Sequence, residues 1–345
     1  MIRVILHGMG GVGQYIARMV LERPYLQCVG AVVHSDKAKI GKDLGEVLGF
    51  DKKVGVKVTV SLKDVIAATN ADIVVDSSLS FVVAIKEPLF TSIKAGLNFV
   101  SICEELAYPW VNQPKLGHEI DELAKSHSVT VLGTGINPGF IQDVVPLTFA
   151  GACQKVRTIT ERRCNQCSEV GVPLLKAFAI GESIDVFNKQ AADGKLTAHV
   201  GHQEQIMMIA DAIGWKITDI KRELKAWVSK TQRRGKFLTV EPGQVCNVQT
   251  VTTGYRGNGD AAITLDFTMS FAPTDEFLKE DAEKGIKPGD FLSIEGMPNV
   301  EVEIKGLEHA ALVTAARCVN AIPYVVQARP GLLSPKDFPP FVPIE

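Results

Sequence analysis

Several groups of residues in this chain have the types and spacing to do chemistry. Gly8, Gly10 and Gly13 stand at G-x-G-x-x-G spacing, a pattern whose bare backbone can cradle phosphates. Glu104 and Glu105 are adjacent acids. A carboxylate in a partly buried place has its pKa raised towards neutrality, where it can take a proton from an amine or hold an ammonium. Gly133-Thr134-Gly135-Ile136-Asn137-Pro138-Gly139-Phe140 packs three glycines and a proline into eight residues, marking a tight irregular backbone that offers the Asn137 amide. Cys164-x-x-Cys167 and His199-x-x-His202 have metal-like spacing, but neither brings the four ligands a zinc site uses, so no metal is expected.

The elements that must position these groups follow from the apolar pattern. Ile2, Val4, Ile5 and Leu6 make a β-branched run that enters the glycines directly, and Ile16, Met19 and Val20 then share a helical face. Strand, glycine turn and helix in that order are expected to form a dinucleotide site built from Gly8, Met9, Gly10, Gly11, Val12 and Gly13, with the helix N-terminus turned to the pyrophosphate; a purely structural βα turn is the alternative. A second strand, 27–33, ends at His34-Ser35-Asp36-Lys37, where an acid about 20 residues past the glycines would hold a ribose hydroxyl. His34, Ser35 and Lys37 or Lys39 suit a 2′-phosphate, so NADP is expected, with NAD possible through Asp36; a solvated loop with no cofactor role is the alternative.

Further along, strands at 56–60, 72–76, 98–102 and 129–132 alternate with helices at 62–69, 89–95 and 114–127, the order of a doubly wound parallel sheet. Ser61 is placed to cap the first of these helices. Ser77 and Ser78 at a strand tip suit both a cofactor contact and a helix cap. Glu104 and Glu105 follow the next strand, where substrate and nicotinamide should meet, and Asn137 with Pro138 follows the one after.

Composition narrows the function class. The chain has 345 residues, enough for two domains, and a formal charge of −2, which leaves no basic footprint for nucleic acid. No apolar run approaches the roughly 18 residues of a membrane helix, and with the first strand read from Ile2 no targeting segment is expected. Seven scattered cysteines read as the reduced thiols of a cytoplasmic protein.

Several segments carry a resemblance: KDLGEVLGF at 42–50, CEELAYP at 103–109, GTGINPGF at 133–140, HVGHQEQIMMIADAIGW at 199–215, FLSIEGMPNVEVEIKG at 291–306 and NAIPYVVQARPGL at 320–332. Together they resemble the 2,4-diaminopentanoate dehydrogenases and related NAD(P)-dependent amine dehydrogenases. Dihydrodipicolinate reductase, whose fold that family shares, fits less well, because its His-His motif with a following Lys and its Pro-Ser-Gly-Thr segment are missing. The resemblance implies an N-terminal Rossmann domain and a second α/β domain on an open mixed sheet that covers the active site and helps form a homodimer. It implies reversible hydride transfer between the nicotinamide and an amine-bearing carbon, with ammonia adding to a ketone in the reductive direction. It puts the catalytic glutamate in the pair Glu104 and Glu105, and makes Asn137, Phe140, His199 and His202 candidates for contacting substrate. Capping of the helix that follows is an equal reading for the two histidines.

The chain departs from those relatives after a strand at 155–160. Where they continue with Arg-Arg-Pro, it has Glu161-Arg162-Arg163-Cys164-Asn165-Gln166-Cys167, expected to be a substrate-pocket loop with a different lining. Beyond it, 236–242, 245–254 and 261–272 read as strands, the charged run 279–287 as a solvated face, and 306–320 as an amphipathic helix before a tail marked by Pro323, Pro330 and Pro335. The expected division is 1–137 for the dinucleotide domain, 138–305 for the substrate domain, and 306–345 for a helix and tail returning to the first. Three functions compete: the amine dehydrogenase, an imine or keto reductase on the same fold, and a dinucleotide sensor without turnover.

Overall fold

A computed structural model describes residues 1–34 and 36–344. The chain divides into two compact units, Met1–Val144 with His309–Glu345, and Val145–Glu308. The strands of the first stretch are β1 (Ile2–His7), β2 (Leu26–Val32), β3 (Val58–Thr59), β4 (Ile73–Asp76), β5 (Asn98–Ser101) and β6 (Thr130–Gly133). Those of the second unit are β7 (Lys155–Gln166), β8 (Ile217–Val228), β9 (Arg233–Arg234), β10 (Thr239–Val240), β11 (Val245–Arg256), β12 (Ala261–Ser270), β13 (Gly289–Met297) and β14 (Val300–Ile304). The chain then returns to the first unit with β15 (Gly331–Leu333).

In the first unit, among the described residues, the strands form a parallel sheet in the order β15-β6-β5-β4-β1-β2-β3. Successive side chains of a strand face opposite ways, and helices cover both faces of a parallel sheet. Val4 and Leu6 accordingly pack with Ile16 and Val20 of the helix Gly11–Glu22 and with Val319 and Ile322 of the helix Ala310–Gln327. Ile5 faces the other way, into a core with Leu89, Phe99 and Ile120. The order reverses beside β1, so the carboxyl ends of β1 and β4 flank the switch point where such sheets bind ligands.

The sheet of the second unit runs β14-β13-β7-β12-β11-β8, antiparallel throughout except for the parallel pair β7 and β12. It is the open mixed sheet expected. The helix His202–Ile213 packs on one face, over β8, β11 and β12. A cavity of about 180 Å³, lined in part by Arg162, Lys225, Trp227 and Asp266, lies in this unit and shares no residue with the glycine turn or the glutamate pair.

Four expectations need correction. Residues 161–166 are not a loop but the second half of β7, hydrogen-bonded to β12 on one side and β13 on the other. Polar residues occupy both of its faces, which removes the apolar alternation that marks a strand. The buried Arg163 is satisfied by Asp290 at 2.6 Å and the Leu307 carbonyl at 3.0 Å, partners more than a hundred residues away. The charged run 279–287 is not wholly solvated. Asp281 is fully buried and accepts from Arg233 Nη1 and Nη2 at 2.9 and 3.0 Å and from the Ser270 hydroxyl at 3.0 Å. Of the strand read at 236–242, only Thr239 and Val240 pair, with Arg234 and Arg233. Pro323 lies inside the last long helix, whose buried face from Ala315 to Val325 offsets the one backbone hydrogen bond the ring removes.

Candidate active site

β1 ends at His7, and the chain turns at Gly8 with φ +97°, a conformation costly for any residue with a Cβ. Packing closes two of the three glycines. A Cβ on Gly8 would lie 2.9 Å from the Ser77 backbone, and one on Gly13 would lie 2.4 Å from the Gly8 carbonyl and 2.6 Å from Ser77 Oγ. Gly10 and Gly11 are open instead: a Cβ at either meets nothing within 4 Å. Gly10 is the N-cap of the helix Gly11–Glu22, with no side chain capping it and no acid in the first turn. Uncapped N–H groups and the positive end of the helix dipole therefore face outward over bare backbone, which fits the pyrophosphate of a dinucleotide. The Met9 side chain is buried in the core and contributes only backbone to the turn, while Val12 is half-buried against the same core.

Beneath this turn lies a buried polar knot that the sequence did not single out. Asp76, fully buried at the tip of β4, is bonded by His7 Nδ1 at 2.7 Å, the Ser78 hydroxyl at 2.6 Å and the Ser101 hydroxyl at 2.6 Å. It ties together the ends of β1, β4 and β5. Ser77 donates to the Gly8 carbonyl at 3.0 Å, so Ser77 and Ser78 both brace the strand tips and the glycine turn.

At the end of β2, His34 and Lys37 are exposed, and Ser35 lies outside the described residues. Lys39 reaches back to donate to the Met9 carbonyl at 2.8 Å and pairs with Asp36 at 2.8 Å. Hydrogen bonding from Lys39 holds the Asp36 carboxyl below its usual range. Asp36, the acid expected to hold a ribose hydroxyl, is therefore already compensated by a cation.

Glu104 and Glu105 open a short 3₁₀ turn, Glu104–Ala107, after β5. Their environments differ. Glu105 is buried, its Oε2 accepting from the Val82 backbone N–H at 2.7 Å and its Oε1 lying 3.4 Å from the Gln113 amide. Glu104 is half-buried, and desolvation raises its pKa above the ordinary carboxylate value, opposed by hydrogen bonds from its own N–H and from Ser80. The 3₁₀ turn packs tightly on the end of β6: a Cβ on Gly133 would lie 2.4 Å from the Leu106 backbone. Asn137 follows, half-buried, donating to Gln142 Oε1 at 2.6 Å, and its bond to the buried Pro138 is cis. Phe140 is half-buried. The glycine turn, Ser77, Ser78, the glutamates and the 133–140 turn thus follow the carboxyl ends of β1, β4, β5 and β6, on one edge of one sheet.

His199 and His202 belong to the second unit. Their rings are 4.3 Å apart, His199 lies 4.4 Å from the Phe267 ring, and His202 Nδ1 is 2.9 Å from Thr252 Oγ1. Burial pushes the His202 pKa down to about 3 and holds His199 well below its ordinary value, so both imidazoles are neutral. The cap of the helix His202–Ile213 is Gly201, with no side-chain hydrogen bond. Burial raises the thiols of Cys164, to about 12, and of Cys167.

The chain is similar to known proteins along nearly its whole length. The family model of the 2,4-diaminopentanoate dehydrogenase C-terminal domain matches residues 140–344, and that of the dihydrodipicolinate reductase N-terminus matches residues 2–102. The chain is 33% identical over 340 residues to the 2,4-diaminopentanoate dehydrogenase of Acetoanaerobium sticklandii, covering 98% of this chain and 93% of that one. It is 25% identical over 361 residues to an amine dehydrogenase of Streptomyces virginiae, covering 98% and 96%. The solved structure of an amine dehydrogenase from Mycobacterium smegmatis is similar with a TM-score of 0.84 at 25% identity, over 99% of this chain and 97% of that one. With a family model spanning 140–344 and a relative one-third identical along nearly its whole length, this chain belongs to the 2,4-diaminopentanoate dehydrogenase family, NAD(P)-dependent oxidoreductases that act on amines.

Proposed function

We propose that the protein catalyses the reversible NADP-dependent oxidative deamination of a small amine, of the 2,4-diaminopentanoate type or simpler, to a ketone and ammonia, with Glu104 as the proton-exchanging group. One observation carries this assignment within the glutamate pair. The Glu105 oxygens are committed to Val82 and Gln113 inside the protein, whereas Glu104 is half-buried with a raised pKa. A carboxylate of that kind takes a proton from an ammonium near neutral pH and stabilises positive charge on nitrogen.

The remaining residues have holding roles. The uncapped N-terminus of the helix Gly11–Glu22 would bind the pyrophosphate, with Gly10 and Gly11 leaving room for it. His34, Lys37 and Lys39 would receive a 2′-phosphate, Lys39 having already neutralised Asp36. Asn137 and Pro138 would meet the nicotinamide end, and Phe140, His199 and His202 the substrate, the histidines as neutral hydrogen-bonding groups. When bound, the dinucleotide supplies or accepts hydride at its nicotinamide C4.

NADPH oxidation measured on a panel of small ketones, with and without ammonium, tests the reading. Turnover that requires ammonium, and a kcat/KM higher with NADPH than with NADH, are expected. Ketone reduction without ammonium would replace the assignment by a keto reductase, binding without turnover would make the protein a sensor, and a preference for NADH would overturn the cofactor choice. The same proposal takes the second unit's open sheet as the contact of a homodimer in the cytoplasm. A monomer by sedimentation at micromolar concentration would count against that.

A further inference from the structure

The helix Ala310–Gln327 does more than fill the core of the first unit. Thr314 and Arg317, one turn apart on it, both reach the 133–140 turn. Thr314 Oγ1 accepts from the Ile136 N–H at 3.3 Å, and its Cγ2 would be 3.2 Å from a Cβ on Gly135. Arg317 Nη2 donates to the Gly139 carbonyl at 2.9 Å, while its guanidinium lies 4.6 Å from the ring centres of both Phe140 and Phe341. On the preceding peptide, Asp143 Oδ2 accepts from the Gly139 N–H at 2.7 Å. The turn is pinned at three successive points, the 136 amide, the 139 amide and the 139 carbonyl, with Asn137 and Pro138 in between.

Arg317 is 8% exposed, and burial lowers its pKa to about 10 against the opposing charge of Asp143. Its Nε has no hydrogen-bond partner among the described residues. A buried arginine with one donor unused is a poor stabiliser, since an apolar side chain of the same volume avoids the desolvation cost. What an apolar replacement lacks is the planar donor that can hold a carbonyl while stacking between two rings.

We propose that Thr314 and Arg317 are positioning residues for the reaction, fixing the 136–139 backbone so that Asn137 is held in place for the nicotinamide end of the cofactor. This rests on the reading that Asn137 meets the nicotinamide. A displacement of about 1 Å at such a place costs roughly a hundredfold in rate, although neither residue touches a reacting atom.

The test separates the nicotinamide half of the cofactor from the rest. NADPH and 2′-phospho-ADP-ribose, which lacks the nicotinamide ring, are titrated into Thr314→Val, Arg317→Met, Arg317→Lys and Asn137→Ala, with NADH and ADP-ribose run alongside. In Thr314→Val and Arg317→Met, NADPH binding should weaken by about tenfold and kcat should fall by at least that, while the fragment binds within about twofold of wild type. Arg317→Lys, which keeps a donor for the carbonyl, should recover part of the loss. Equal weakening of cofactor and fragment, or no weakening of either, overturns the proposal. Should Arg317→Met fail to fold, the nearly isosteric Thr314→Val decides alone. If Asn137→Ala binds NADPH as wild type does, the underlying reading of the turn fails. If Asn137→Ala loses NADPH selectively and the helix variants do not, only the positioning role fails.

Discussion

At Glu104 and Glu105 two identical side chains, one position apart, meet different surroundings. The 3₁₀ turn sends Glu105 inward to the Val82 N–H and leaves Glu104 half-buried. Removing a carboxylate that satisfies a buried donor leaves that donor unpaired, at a cost of roughly 1–3 kcal/mol. Glu105→Ala should therefore lower stability by about that amount in urea denaturation; a variant as stable as wild type would show that the Val82 contact contributes nothing. Local sequence located this acidic pair but could not divide it, because the deciding partner lies 23 residues upstream. Asp76 escaped for a related reason: it reads as the polar end of a buried strand until His7, Ser78 and Ser101 are seen converging on it.

Among the elements, the glycine turn separates two jobs that one motif encodes. Gly13 serves packing, since a Cβ there would overlap the Gly8 carbonyl, whereas Gly10 faces open space with φ −74° and ψ −163°, angles that alanine tolerates. Gly13→Ala should lower both the Tm and cofactor affinity. Gly10→Ala should keep the wild-type Tm and lose about tenfold or more in cofactor affinity, because the new methyl group occupies the approach to the pyrophosphate. Full cofactor affinity in Gly10→Ala would remove the turn from the binding site. This element was legible because strand, glycines and helix are contiguous, and the parallel sheet was legible from apolar runs that need burial on both faces. Of β7 only the first half, 155–160, was legible; the second half was not, because Arg163 and Asp290 stand directly opposite each other on neighbouring strands yet 127 residues apart in the chain. The helix Ala310–Gln327 ran past its expected end because packing along its buried face outweighs Pro323.

For the whole molecule, the chain builds the first unit, leaves it for 164 residues, Val145–Glu308, and returns, so each unit keeps a core of its own. In the second, the His202 pKa sits at about 3 against an ordinary 6.5. An unfolded chain takes up that proton as pH falls below 6.5, whereas the folded unit does not until about 3, so the stability present above this window is lost as pH falls through it. His202→Gln should lose less stability between pH 7 and about pH 4.5 than wild type does, by urea denaturation at the two pH values, and an equal loss would contradict the burial account. The proposed catalysis is most exposed to test at Glu104. The decisive measurement is the pH dependence of kcat/KM for amine oxidation in wild type, Glu104→Gln and Glu105→Gln. Wild type should lose activity on the acid side with a pKa above the carboxylate's ordinary 4.5, and Glu104→Gln should fall by about a hundredfold or more and lose that limb, with cofactor affinity intact. A Glu104→Gln enzyme that keeps near wild-type kcat/KM, or the same acid limb, would contradict the assignment.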